Sequence, residues 1–148
     1  MASSKPVATP LLQPYPLRSG AQRPQWLEDA LELIDNGKKD GVNQIVDMLK
    51  ELHEDGRGCR YIKSLKGLPL FELKPLARGG HKGGARVYFA FTQHDEALIF
   101  NIEVKPQDVD APDPAKIKQA LRMLHAYQNN TIRIAQNTTS QDPRWWRK

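Results

Sequence analysis

The side chains with the chemistry to act on a ligand crowd into one stretch. Between positions 57 and 86 stand eight lysines and arginines, Arg57, Arg60, Lys63, Lys66, Lys74, Arg78, Lys82 and Arg86, against a single acid, Glu72. The 148-residue chain carries +5 in total, so the remainder is slightly acidic. Cationic charge concentrated in this way favours a polyanion such as nucleic acid or the ribosome. A solvated basic face is the bland alternative. Two nearby groups can also move protons: Tyr88, and His81 with an ordinary pKa of about 6.5.

Other chemistries are poorly served. The GGHKGG turn at 79–84 is not a phosphate-cradling P-loop, because no Gly-Lys-Ser/Thr follows and no helix begins there. His53, His81, His94, His125 and Cys59 show no metal-ligand spacing, so neither a metal nor a cofactor is expected. Cys59 is the only cysteine, which excludes an intramolecular disulfide and fits a reducing cytoplasm. No apolar run approaches the ~18 residues of a membrane span. Pro6, Pro10, Pro14 and Pro16 interrupt the N-terminal stretch, which therefore lacks a secretory apolar region. A cytoplasmic location away from membranes is the expectation.

The elements that must position these groups follow from periodicity. Residues 1–23 read as an extended Pro-rich arm; part of it, near 11–17, could add a strand at a sheet edge, where proline is tolerated. Trp26, Leu27, Ala30, Leu31, Leu33 and Ile34 recur at a helical period over 25–36, with Pro24 at the start and Gly37 at the stop. Asp40 reads as the cap of a second helix, with Val42, Ile45, Val46, Leu49 and Leu52 on one face and Gly56 at its end. The short link makes the two helices an antiparallel hairpin. Residues 57–67 look irregular. Strands follow at 70–74, 85–92 and 97–104, joined by the turns at 79–84 and 93–96. Strict alternation puts Val87, Phe89, Phe91, Leu98, Phe100, Ile102 and Val104 against the helices. Glu72, Lys74, Arg86, Tyr88, Ala90, Ile99, Asn101, Glu103 and Lys105 then share the opposite, open face. A third helix starts at Asp113-Pro114 and runs to about 128, and Tyr127 on it is expected to pack. Residues 129–148 read as a flexible basic tail in which 131–135 could form a short strand and Trp145 and Trp146 could stack on bases. The fold class is α+β: a helical hairpin packed on a twisted antiparallel sheet of three to four strands, then a C-terminal helix.

Three segments of this order, LKGLPLFELK (65–74), ARVYFAF (85–91) and LIFNIEVK (98–105), with a Gly-rich basic turn between the first two, resemble the RelE/ParE superfamily of bacterial toxins, in its HigB-like, phage-derived branch. The resemblance covers about 26–128. It implies the toxin of a type II toxin–antitoxin system, neutralised by a cognate antitoxin protein. Many such toxins are metal-independent endoribonucleases that cleave mRNA on the ribosome; others inhibit DNA gyrase. A non-catalytic RNA-binding module on the same fold is the third reading.

What the ribonuclease reading requires is positive charge for the phosphorane formed when a 2′-hydroxyl attacks its neighbouring phosphate, and groups to move protons. The resemblance puts Arg86 and Lys74 at the scissile phosphate. Arg78, Lys82, Lys63, Lys66 and Lys105 would hold flanking RNA. Tyr88 and His81 are the candidates for proton transfer, because the last strand is followed by Lys105-Pro106-Gln107-Asp108, without the Tyr or His common in catalytic relatives. A purely structural role for Arg86 would pair it with Glu72 or Glu103.

Overall fold

The computed structural model describes residues 8–76 and 83–135. Arg78, His81, Lys82, Trp145 and Trp146 lie outside the described residues.

The chain is α+β, with a strand ahead of the helical hairpin. Strand β1 (Leu11–Pro14) comes first, then α1 (Gln25–Asp35) and α2 (Lys39–Asp55). Strands β2 (Ile62–Ser64), β3 (Phe71–Leu73), β4 (Gly84–Phe91) and β5 (Ala97–Lys105) follow. Helix α3 (Pro114–Gln128) and the short β6 (Ile134–Ala135) complete the described chain. The helix punctuation is that of the sequence. Gly37, at φ +81°, lets its own amide and that of Lys38 return to the carbonyls of Ile34 and Leu33, closing α1. Asp113 caps α3, its side chain accepting from Ala115 N. Helix α2 instead starts one residue before Asp40, with no side-chain cap, and Asp40 serves as an acid in the first turn, where the dipole favours it.

The sheet departs from expectation in three ways. Among the described residues it has six strands rather than three to four, in the order β2-β3-β4-β5-β1-β6. It is mixed, because β1 runs parallel to β5, pairing Leu11 with Ala97 and Leu12 with Leu98. The arm strand is also not at an edge: β6 pairs antiparallel outside it. Proline is accommodated because Pro14 ends the strand, and because Pro10 acts only as an acceptor, receiving Ala97 N. Strand β2 forms inside the stretch expected to be irregular, because three residues among lysines are too few to show alternation.

Both faces of the sheet are covered, not one. On one side α1 and α2 pack Trp26, Leu27, Ile45, Leu49 and Leu52 against Val87, Phe89, Ile99 and Ile102. On the other, α3 packs Ala120 and Met123 against Tyr88, Ala90, Leu98 and Phe100, with Tyr127 packing at the margin as expected. The switch of faces along β5 has a local cause. Tyr88 pairs with Asn101, but Phe89 pairs with Ile99, so Phe100 is an extra residue in β5. One inserted residue sends every side chain beyond it to the other face. Ile99 therefore joins Ile102 beneath the hairpin, while Leu98 and Phe100 lie beneath α3, against strict alternation.

Beyond the bulge β5 outruns β1. There Asp29 of α1 accepts Ile102 N at 3.1 Å and holds Lys116 of α3 at 3.2 Å. A single buried carboxylate thus ties helices from both layers to the exposed stretch of backbone. Burial pushes its pKa up, against the opposing pull of Lys116 and the hydrogen bonds from Ile102 and Gln25.

Two substitutions separate the two-sided sheet from a one-sided one. Ala90→Asp places an unpaired carboxylate under α3 and is expected to cost at least ~3 kcal/mol in urea unfolding. Gln93→Asp, on the exposed β4–β5 turn, should stay within about 0.5 kcal/mol of the parent.

Candidate functional site

The polar residues of β3, β4 and β5 stand in two cross-strand rows. Lys63, Glu72, Tyr88 and Asn101 are paired in succession across the strands, and Arg86 stands opposite Glu103 in the next row. Lys74 follows β3, its amide donating to Tyr61 O. Glu72, Arg86, Tyr88, Asn101 and Glu103 share a face as expected, whereas Ile99, beyond the bulge, lies on the other. What differs is the environment of the shared face: the connection 106–113 and α3 close over it, so Arg86 and Tyr88 are both 0% exposed.

Arg86 is the hub. Its Nη1 donates to the carbonyls of Gly83 (2.7 Å) and Ala85 (3.0 Å), and its Nη2 to Asp110 Oδ1 at 3.0 Å. Lys74 Nζ reaches the same Asp110 oxygen at 2.6 Å. Glu72 Oε2 stands 4.0 Å from Arg86 Nε, and both atoms are buried without a hydrogen bond. Of the two pairings considered for Arg86, Glu72 is therefore a charge neighbour and Glu103 is not a partner; Asp110 was not foreseen. Lys74, hydrogen-bonded to Asp110 and aided by Arg86, holds the Asp110 carboxyl below the usual aspartate range. Burial pushes Glu72 up, opposed by Arg86, Lys74 and Lys63.

A second network adjoins it. Glu103 Oε2 accepts Tyr88 OH at 2.5 Å and Asp113 N at 3.0 Å, while Oε1 accepts Lys105 Nζ at 3.1 Å. Burial, then the bond to Glu103, drives the Tyr88 phenol far above its ordinary range. At neutral pH Tyr88 is thus a committed donor. Lys105 is buried against Glu103, rather than free to hold RNA.

The glycines closing the basic turn matter here. Gly83 has φ +86°, and a Cβ on it would lie 2.1 Å from Pro106 O. Only glycine lets the end of that turn press on the start of the 106–113 connection. The same guanidinium that holds Gly83 O also holds Asp110.

Much of the basic excess is paired with acids of the same chain, part of it at the surface. Arg57 pairs with Asp95 and lies over the Phe91 ring at 4.2 Å; Arg60 pairs with Glu51 and lies over Tyr61 at 4.9 Å. Lys63 and Lys66 are exposed and make no ion pair among the described residues. The structure therefore brings Lys74, Arg86 and Tyr88 together, sets Lys63 opposite Glu72 in the adjoining row, leaves Lys66 in the β2–β3 turn at the other end of β3 from Lys74, and does not describe Arg78, His81 and Lys82. Sequence reasoning missed Asp110 and the part played by Glu103. Three acids, Asp108, Asp110 and Asp113, follow the last basic strand, but nothing in their spacing marks which one folds back. Clefts of about 310, 390 and 430 Å³, the latter two lined in part by α3, are lined without Lys74, Arg86 or Tyr88.

No protein-family model matches the chain, and no curated protein matches it significantly. No helix among the described residues is long and apolar enough to cross a membrane.

Tyr88→Phe removes a bond to a carboxylate and is expected to cost about 1.5–3 kcal/mol in chemical denaturation. In a spectrophotometric titration of the parent, the Tyr88 phenolate should emerge only as the chain unfolds in alkali. The pH dependence can be signed as well. Asp110 is held low, so its contribution is present above the ordinary aspartate value of 3.8 and is lost as pH falls through its folded value. The parent should be more stable than Asp110→Asn at neutral pH, and this margin should close in acid. Asp29 and Glu72 act oppositely, since the cost of keeping them ionised is relieved on protonation.

Proposed function

We propose that the chain is a RelE/ParE-like toxin of a type II toxin–antitoxin pair. In this reading it works in the cytoplasm, inhibits translation by cutting mRNA on the ribosome without a metal, and is neutralised by a cognate antitoxin. The observation that carries the reading is the meeting of Lys74 Nζ and Arg86 Nη2 on a single carboxylate oxygen, at 2.6 and 3.0 Å. Two cations that share one anionic oxygen suit the charge that gathers on a phosphodiester as the 2′-oxygen attacks. The helical hairpin packed on antiparallel β3, β4 and β5 supports the same reading, while the strand ahead of the hairpin and the mixed six-stranded sheet depart from the arrangement the resemblance implies. In this reading the exposed Lys63, and Lys66 further off in the β2–β3 turn, would hold flanking phosphates. Arg78 and Lys82 would do so from the turn, and His81 remains the candidate proton acceptor there. Tyr88 suits a positioning role through Glu103 better than proton transfer.

A second reading has its own support. Arg86 and Tyr88 are sealed from solvent, and a protein that binds gyrase, the ribosome or RNA without chemistry needs no open site.

Controlled expression separates the two. The parent is expected to arrest growth and to produce new mRNA ends during translation. Lys74→Gln, at a partly exposed position, should abolish both while the purified protein keeps its circular dichroism. Arg86→Ala is the weaker test, since loss of a buried ion-pair partner costs about 3–5 kcal/mol by itself. Arrest with intact mRNA and accumulating DNA breaks would favour gyrase as the target. Arrest with neither would favour a binder of the ribosome, and no arrest would leave a non-toxic RNA-binding module.

A further inference from the structure

We infer that Asp110 is an internal anion occupying an oxyanion site built by Lys74 and Arg86, and that a phosphodiester oxygen of single-stranded RNA binds there by displacing it. The inference rests on the proposed function only for the identity of the ligand. The site itself rests on geometry.

The three charged groups are unequally held. Arg86 is wholly buried and anchored by the carbonyls of Gly83 and Ala85. The Lys74 side chain is 19% exposed, and that of Asp110 is 43% exposed. The anion is therefore the removable member of the cluster, and the cations are the fixed ones. Asp110 also sits on the 106–113 connection between β5 and α3, with Val109 beside it exposed and Pro106 pressed against Gly83. That connection can lift Asp110 without disturbing either strand ladder.

The contact it makes is incomplete. Both cations converge on the same oxygen, so the guanidinium is met at one point rather than by the two-point fork it offers to phosphate. Arg86 Nε meanwhile has no hydrogen bond. Removing Asp110 does not strip Arg86 of counter-charge, because Glu72 stays 4.0 Å from Nε on the rigid β3. A displaced state is thus electrostatically tolerable, whereas a displaced Glu72 would not be. An exposed cation, Lys63, stands in the row next to Arg86. An incoming anion is drawn to the cluster, and it must compete with a tethered carboxylate at high effective concentration.

Sulfate, a phosphate-like probe that does not titrate at neutral pH, tests the site apart from the ligand. In the full-length protein at constant ionic strength, Asp110→Asn should bind sulfate at least ~10-fold more tightly than the parent, because the competing state is removed. Lys74→Gln added to Asp110→Asn should abolish the gain. In the parent, the backbone amide resonances of 109–111 should shift on saturation with sulfate. Equal sulfate affinity in the parent and Asp110→Asn would overturn the inference. Unmoved 109–111 resonances at saturation would overturn it too, and that measurement needs no variant to fold. A short single-stranded RNA should show the same gain as sulfate. If sulfate gains and RNA does not, the oxyanion site stands and RNA is ruled out as its ligand.

Discussion

A guanidinium with no access to water needs its charge answered from within, and much of the functional half of this molecule is arranged to answer Arg86. Two carbonyls, Asp110 and the nearby Glu72 surround it. Desolvating an ion costs several kcal/mol, and losing a partner from such a cluster costs about as much again. The arrangement therefore binds distant pieces of chain to one another. The end of the Gly-rich turn, the strand after it and the 106–113 connection all meet on one side chain. The beginning of α3 is drawn in through the neighbouring Glu103, which receives both Tyr88 and the amide of Asp113.

This economy changes how the charge of the chain should be understood. A local excess of seven cations between 57 and 86 reads, in one dimension, as an open basic surface. In the folded chain Arg57, Arg60, Lys74 and Arg86 each face an acid brought from another part of the sequence. The unpaired cations among the described residues of that stretch are Lys63, in the row next to Arg86, and Lys66, in the β2–β3 turn at the other end of β3 from Lys74. Affinity for a polyanion would then depend less on net charge than on whether the internal acids can be exchanged for external phosphates. Of the acids that face Lys74 and Arg86, Asp110 is the more exposed, and it is carried on the connection between β5 and α3.

The sheet holds this cluster between two cores. Helices α1 and α2 supply one layer and α3 the other, so the polar rows lie at the end of a sheet buried on both sides. The extra residue at Phe100 makes this possible. It lets β5 give Ile99 and Ile102 to one layer and Leu98 and Phe100 to the other, with Asn101 donating to Lys116 O and Gln119 at the joint. Asp29 completes the seam on the edge of β5 that extends beyond β1.

Local information was enough for a large part of this. The three helices were legible because their apolar residues recur at the helical period and Pro24, Gly37, Gly56 and Pro114 punctuate them. The three main strands were legible from alternation, as was the shared face of Glu72, Lys74, Arg86 and Tyr88, since residues two apart on a strand must point the same way. Contacts between distant segments were not legible. The bulge at Phe100 is invisible to alternation because it is defined by the partner strand. The placement of β1 inside the sheet depends on β6, a strand of two residues. Above all, the sequence determined which cations share a face, and only the tertiary structure decided that Asp110 closes over them. Residue types set the charges, but the burial and pairing of a charge depend on which remote chain folds back to meet it.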